Sequence, residues 1–373
     1  MATETNNLNL IKLFSIVALA TSLAACGGGG SSATDAATPA PAPAPVPLPA
    51  PAPSPSNPDL VTAVTPPTYV AGTIEWGAWD VLMKERQSCG FGLVQQDTRL
   101  DAASIGHAQF LAKNSAELFV NYTGHGEDPA KPYFIGNGPL DRAVSKGFPN
   151  VGGVDVAEIL TASTSTYVMG GPVQYPSNEA RGAASIRTLM GTVYHLTGAM
   201  WPGRIGGVGA DHQFGSKVSG AFTYSLEAYR FGMLVGWTSN NPQRLGSGNV
   251  ATYPCATATA AVASWHPAQE SPNPFPDVTD VAVSYGTPIY LRSDEGQVMS
   301  VTSANVTASN GSVVAVRQVS KSNDPAHIVG GHEWFIVPSS PLSVGATYNV
   351  SVVGTLDGVA FTKAFSFTPA PSP

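Results

Sequence analysis

The sequence predicts an α+β fold in its first folded part and an all-β sandwich in its second. From Gly72 onward, amphipathic helical patterns come first, and short strand-like stretches follow them up to Tyr253. From Val278 to Phe367 the pattern changes to alternating apolar residues separated by turn signals. Helices followed by clustered strands are typical of an α+β layer fold. About seven short strands in ~90 residues are typical of an immunoglobulin-like or fibronectin-like sandwich.

Three helices are predicted in the first part. Apolar residues recur at helical spacing in the first and third of them, and Asp97 or Asp101 is placed to cap the second. The apolar positions are Trp76, Trp79, Leu82 and Met83 in the first helix, and Ile186, Leu189, Met190 and Val193 in the third. The strand-like stretches that follow are Ile205 to Ala210, Phe222 to Leu226, and Met233 to Trp237.

The second part carries a clear hairpin signal. Tyr348, Val350 and Val352 alternate with polar residues, and Asp357-Gly358 follows before the next apolar run. Asp-Gly between two alternating runs predicts a tight two-residue turn. His332-Glu333 in this part lacks a third partner nearby in the sequence, so we expect it to be a surface pair.

The amino terminus has the pattern of a lipoprotein signal. An apolar run from Phe14 ends in Leu23-Ala24-Ala25-Cys26, and it is too short to span a bilayer, which takes ~20 residues. We expect residues 1–25 to be removed and Cys26 to be lipidated, which tethers the protein to a membrane of the cell envelope. The alternative is an incidental cysteine after an ordinary signal peptide. The residue after the lipidated cysteine is Gly27, whereas an aspartate there would favour retention in the inner membrane. Gly27 therefore indicates that the protein is anchored in the outer membrane.

Residues 26–71 are predicted to be a disordered linker. Four consecutive glycines follow Cys26, and alternating Pro-Ala dipeptides follow from Pro39. Such a sequence forms neither helix nor sheet and favours polyproline II, which extends ~3.1 Å per residue. The domain organisation is therefore 1–25 signal peptide, 26–71 linker, 72–253 α+β domain, 254–277 proline-rich connector and 278–369 β-sandwich.

Composition excludes one class of partner and predicts one covalent bond. Only 12% of residues are charged, the net charge is −7 and no basic run occurs, which argues against nucleic-acid binding. Besides Cys26, the chain has Cys89 and Cys255. An oxidising compartment favours a disulfide between them, and two buried free thiols are the alternative.

Four polar residues of the first part are candidates for chemistry. His125 lies in a glycine-flanked loop, and Glu158 lies among apolar residues where an unpaired charge is costly. His195 follows an apolar helical stretch, and Glu179 precedes it by about one helix length. Imidazoles and carboxylates from separate segments suit a divalent-metal site or an acid–base pair. A hydrogen-bonded network that holds loops over a cleft is the alternative. His107 lies on an apolar helix face and is predicted to be a core histidine.

An ordered set of short matches extends over about 180 residues. It comprises Arg86, Gly92-Leu93, Leu100, Ala103, His107-Ala108, His125, Asp141-Arg142, Gly147-Phe148, Glu158, His195 and Gly207-Val208-Gly209. In these residues the first part resembles the CAP family of cysteine-rich secretory, antigen five and pathogenesis-related proteins, in its bacterial secreted branch.

The resemblance implies a three-layer α-β-α sandwich with a central cleft. It places the family's first histidine at His125, its glutamate at Glu158 and its second histidine at His195, with Glu179 as a loose candidate for the second glutamate. In that family such residues can bind a divalent cation, here zinc, magnesium or calcium. Two departures are Met83, where the family usually has asparagine, and Leu196, where the bacterial branch usually has arginine.

Two functions are expected from the sequence. The first is a lipid-anchored binding module for an apolar, lipid-like or sterol-like ligand, an envelope component or a partner protein. The second is a metal-assisted or His/Glu acid–base hydrolase. Hydroxyl residues crowd Thr161 to Thr166, just after Glu158, but no hydroxyl carries a recognisable nucleophile motif.

Overall fold

A computed structural model describes residues 58–168 and 175–373 as a mixed α/β structure. Within these ranges it has five α-helices and three four-stranded β-sheets. The predicted signal peptide, Cys26 and linker residues 26–57 lie outside the described residues. None of the described helices is both long and apolar enough to cross a membrane.

The helices begin largely where the sequence predicts them. They are α1 (Ile74–Ser88), α2 (Thr98–Leu118), α3 (Pro139–Ser145), α4 (Asn178–Met190) and α5 (Val193–Ala199). Asp97, rather than Asp101, caps α2, because its side chain accepts a hydrogen bond from the Arg99 N–H. The predicted third helix is two helices, since α4 ends at Met190 with Gly191 as its C-cap and α5 begins at Val193.

The first sheet has the strand order β1-β3-β4-β2. Its strands are β1 (Gln95–Gln96), β2 (Asp155–Val168), β3 (Ile205–Ser219) and β4 (Phe222–Trp237). The strand-like stretches of the sequence are parts of one long antiparallel hairpin. β3 and β4 pair without interruption from the Ile205–Gly236 pair to the Ser219–Phe222 pair at the turn. β2 pairs with β4 over its whole length and forms one edge of the sheet.

Helices cover both faces of this sheet. The α2 backbone lies so close to Gly207 and Gly209 that a Cβ at either position would come within 2.2 Å of it, so these strand positions require glycine. We call this side, which also carries α3, the α2 face. Ile159 of β2 points to the other side, where its Cγ2 fills the space beside Gly198 of α5. We call that side, which carries α1, α4 and α5, the α5 face.

The remaining strands form two sheets. The strands are β5 (Ala251–Tyr253), β6 (Ile289–Arg292), β7 (Met299–Ala308), β8 (Val313–Val314), β9 (Val316–Ser320), β10 (Glu333–Pro338), β11 (Tyr348–Leu356) and β12 (Val359–Phe367). One sheet has the order β5-β6-β10-β9 and the other β12-β11-β7-β8. The predicted β11–β12 hairpin is confirmed, with Asp357 and Gly358 both at positive φ in its turn.

Apolar packing joins the two parts of the chain. Phe91, which follows α1, stacks on Tyr290 of β6 at a centroid distance of 6.1 Å. One core cluster contains both of these residues together with Tyr253 and Phe335. The parts predicted as separate domains therefore share a hydrophobic core at their junction.

Packed structure also begins earlier than residue 71. Val61, Val64 and Tyr69 lie against the core, and the Tyr69 hydroxyl donates a hydrogen bond to Asp101. The end of the predicted linker, within the described residues from 58 onward, is thus part of the folded unit.

Cys89 and Cys255 form a disulfide, as the sequence predicts. It joins the end of α1 to the segment after β5 across a sequence separation of 166 residues. A cross-link over so long a loop removes much conformational freedom from the unfolded chain.

We expect reduction of this disulfide to lower the free energy of unfolding by about 5 kcal/mol in the chain-entropy model. Thermal unfolding with and without a phosphine reductant measures the effect. The double variant Cys89→Ser/Cys255→Ser is the control, since its melting temperature should be low and insensitive to the reductant. Equal melting temperatures of the oxidised and reduced wild type would contradict the prediction.

Candidate functional site

Glu158 lies at the centre of a buried network on the α2 face. Its side chain is 2% exposed, and its Oε1 accepts a hydrogen bond of 2.6 Å from Arg142 Nη2. Arg142, on α3, is completely buried, and its Nη1 donates to the His125 backbone carbonyl. Burial by itself raises the pKa of Glu158, but the hydrogen bond from His125 and the charges of His107 and Arg142 outweigh it and lower the pKa. Glu158 is therefore an ionised carboxylate.

His107 completes this network from α2. Its Nδ1 lies 2.9 Å from Glu127 Oε1 and its Nε2 lies 3.0 Å from the Gly124 carbonyl oxygen. Since both partners are acceptors, both ring nitrogens donate hydrogen bonds. Arg142 and His107 thus both lie within 4 Å of the carboxylates of Glu127 and Glu158. The prediction of a core histidine at this position is confirmed, because the side chain is only 2% exposed.

His125 is held by the same carboxylate but faces outward. Its Nδ1 lies 2.9 Å from Glu158 Oε2, and the side chain is 46% exposed. An ionised carboxylate accepts, so Nδ1 donates, and Nε2 is the ring nitrogen left to bind a proton or a cation. This is the arrangement of a general base or of a metal-binding histidine with a carboxylate behind it.

His195 has an equivalent partner on the α5 face. Its Nδ1 lies 3.2 Å from Glu270 Oε1 and 2.9 Å from the Thr192 hydroxyl. Glu270 is completely buried, and it also accepts hydrogen bonds from the backbone N–H groups of Val193, Tyr194 and His195. This connector residue therefore fixes both the first turn of α5 and the imidazole that the turn carries.

A cavity of about 590 Å³ connects these groups. We call it the cleft. His125, Glu158 and His195 line it, together with Trp201 and with His332 from the turn before β10. The cleft is thus bounded by the α+β part, by the connector and by the β-rich part.

The predicted triad does not converge on one point. Glu158 and His125 belong to the α2 face, whereas α5 brings His195 to the opposite face of the same edge strand. Glu179 lies exposed in the first turn of α4 and does not line the cleft. Within residues 58–168 and 175–373, no three or more His, Cys, Asp or Glu side chains are grouped closely enough to hold a metal ion.

Sequence reasoning missed several residues of the site. His332 and Glu333 are expected at the surface, but Glu333 is buried and accepts hydrogen bonds from the Tyr290 hydroxyl and the Gly330 N–H. Burial lowers the pKa of His332, which favours a neutral ring beside the cleft. Glu270 lies in a proline-rich connector without a motif, so only the fold relates it to His195.

The comparisons with known proteins leave the family open. No family model matches the chain, and no curated protein matches it. Among solved structures, the crystal structure of a DUF4426 family protein from Pseudomonas aeruginosa is 14% identical with a TM-score of 0.21, and the match covers 33% of this chain and 89% of that one. A similarity at this level carries no argument about fold or function.

The lowered pKa of Glu158 gives the stability a defined pH dependence. The carboxylate stabilises the folded state above its ordinary pKa of 4.5, and this contribution is lost as the pH falls through the lower folded-state value. We expect Glu158→Gln to lower the free energy of unfolding by about 3 kcal/mol at pH 7, because the buried Arg142 loses the carboxylate to which it is hydrogen-bonded. The difference from wild type should shrink below about pH 4.5.

Urea unfolding between pH 7 and pH 3 measures this difference. Thr166→Val, at an exposed position on the same strand, is the control and should keep a constant offset from wild type. An offset for Glu158→Gln that stays constant down to pH 3 would show that the carboxylate is not the ionised partner of Arg142.

Proposed function

We propose that this chain is an envelope-tethered binding module whose cleft holds a ligand, with a CAP-like α-β-α part followed by an immunoglobulin-like β-sandwich. The cleft is the observation that carries the proposal. Its volume of about 590 Å³ is in the range of ligand pockets, and its lining combines imidazoles and carboxylates with Trp201, Ile159 and Ile328. Helices on both faces of the first sheet support the CAP-like part of the proposal.

The tether is the second element of the proposal. A lipidated Cys26 and the proline-rich segment after it would hold the folded unit at a membrane of the cell envelope, on our expectation the outer membrane. The ligand is then an envelope component, a lipid-like or sterol-like molecule, or a segment of a partner protein. Nucleic acid remains an unsuitable partner for a chain with a net charge of −7.

Acid–base hydrolysis is the alternative function, and the His125–Glu158 pair favours it. A neutral imidazole whose Nδ1–H is held by a buried carboxylate is suited to accept a proton at Nε2. The hydroxyls that line the cleft are Tyr194, Thr197 and Ser271, and Tyr194 is already bonded to Asp324. Turnover of fluorescein-labelled casein or p-nitrophenyl acetate that disappears in His125→Gln would favour this alternative.

A divalent cation is a subordinate part of the proposal. His125 has Nδ1 bonded to a buried carboxylate, and His195 has Nδ1 3.2 Å from one, which resembles the support that metal-binding histidines usually have. The described residues nevertheless provide no group of three ligands, so the number of protein donors falls short of a typical zinc site. We assign the cation no step in the function.

Filling the cleft should abolish ligand binding. We expect Ala157→Trp, at a small residue that lines the cleft, to remove the hits of a fragment library measured by ligand-observed NMR. Ser163→Trp is the matched control, because it adds the same bulk at an exposed position of β2 outside the cleft. Hits that persist unchanged in Ala157→Trp would place the binding site elsewhere.

Calorimetric titration with zinc, magnesium and calcium tests the cation. If the two imidazoles bind it, we expect zinc to give the strongest heat, since imidazole suits zinc better than the two harder cations. His125→Ala and His195→Ala should each remove that heat, whereas Glu179→Gln should retain it. Zinc binding that survives in both histidine variants would exclude these residues as ligands.

A further inference from the structure

The cleft follows the edge of strand β2. Five consecutive residues, Asp155 to Ile159, all line it. Successive side chains of a strand point to opposite faces, so a cavity on one face would contact only every second residue. Val156 and Glu158 point to the α2 face, whereas Ala157 and Ile159 point to the α5 face. A cavity lined by both sets extends around the open edge of the strand.

The register shows which backbone groups face this edge. Backbone groups of successive strand residues point alternately to the two neighbouring strands. The Asp97 N–H donates to the Gly206 carbonyl, so the backbone N–H and C=O of Gly206 point to β1. Those of the next residue, Gly207, point to β4. Gly207 pairs with Leu234, and Glu158 is the partner of Leu234 on the other side. The backbone groups of Leu234 therefore point to β3 and not to β2. The backbone N–H and C=O of Glu158, which lies opposite Leu234, consequently point outward, away from the sheet.

Two observations agree with this assignment. The Val156 N–H, which has the same orientation as that of Glu158, bonds to the Asp155 side chain at 2.8 Å and not to β4. Glu158 is partly exposed as a residue although its side chain is only 2% exposed, so its exposed surface is main chain. Among the described residues, no backbone group from another segment bonds to the outer edge of β2.

We propose that the cleft binds an extended peptide segment that pairs as an additional strand with the outer edge of β2 at Val156–Glu158. This inference rests on the proposed function and names its ligand class. Backbone N–H and C=O groups of an open edge pair with an incoming peptide and give affinity without sequence preference. The peptide would lie between His125 on one side of the edge and His195 on the other.

The charges of the cleft indicate which peptide side chains fit. Four carboxylates line it, namely Asp155, Glu158, Glu295 and Glu333, whereas no Lys or Arg occurs among its described lining residues. Glu158 is neutralised by Arg142, but Asp155 and Glu295 are exposed. The cleft therefore favours a segment with a lysine or a free amino terminus and disfavours an acidic one.

A purely apolar ligand is less suitable for this edge. It would cover the Glu158 backbone groups without offering hydrogen bonds, and an unpaired buried polar group is costly. A peptide supplies one donor and one acceptor at the spacing that the strand requires. The same geometry would place a scissile peptide beside His125 if the hydrolase alternative holds.

The test uses selective N-methylation of a probe peptide. The probe is the acetylated, amidated pentapeptide Val-Lys-Val-Thr-Val. It is made in three versions: unmethylated, N-methylated at residues 2 and 4, and N-methylated at residues 1, 3 and 5. An added strand directs only alternate amides at β2. We expect one methylation pattern to weaken binding to the full chain by about tenfold or more and the other to leave it nearly unchanged.

Hydrogen exchange and charge variants locate the peptide. Binding should slow exchange of the Glu158 amide, and Asp155→Asn/Glu295→Gln should weaken binding of the lysine probe more than that of an alanine analogue. Glu179→Gln, which removes a carboxylate outside the cleft, is the control. Equal affinity of both methylated probes, or protection elsewhere in the chain, would overturn the inference.

The outcomes separate this inference from the proposed function. If fragments bind in the cleft and are lost in Ala157→Trp while no probe peptide binds, the binding module stands and the peptide inference falls. If neither fragments nor peptides bind, both fall. If peptides bind and protect the Glu158 amide, both are supported.

Discussion

The ion pair between Arg142 and Glu158 is the interaction on which the site depends. Both side chains are buried, and a buried charge is tolerated only with a partner. The pair fastens α3 to the edge strand, and Arg142 also holds the His125 backbone carbonyl. The position of the His125 loop, the orientation of its imidazole and the ionisation of Glu158 therefore have one common origin.

The same principle recurs on the opposite face with different residues. Buried Glu270 accepts hydrogen bonds from three backbone N–H groups at the start of α5, and its Oε1 lies 3.2 Å from His195 Nδ1. Each face of the first sheet thus presents one imidazole whose Nδ1 lies close to a buried carboxylate. The strand edge separates the two rings, so they can flank an elongated ligand more readily than they can share a single ion.

The β-rich part contributes to the lining of the cleft. His332 and Glu295 line the cleft, and Phe91 and Tyr290 belong to one core across the junction. Much of the site could be anticipated, since His125, Glu158 and His195 all line the cleft. Glu270 and His332 could not be anticipated, because their roles arise from contacts between segments that are distant in the sequence. Glu270 and His195, for example, are 75 residues apart.

The sequence alone determined the local structure. Apolar spacing and Asp97 located the first two helices, Asp357-Gly358 located a hairpin, and the cysteine count indicated the disulfide, since all of these depend on neighbouring residues or on composition. Only the tertiary structure decided that Glu158 belongs to an edge strand with its backbone turned outward. That property depends on which strand pairs with β4 and on which face of the sheet each helix covers. Long-range packing determines both, and no local sequence pattern encodes such packing.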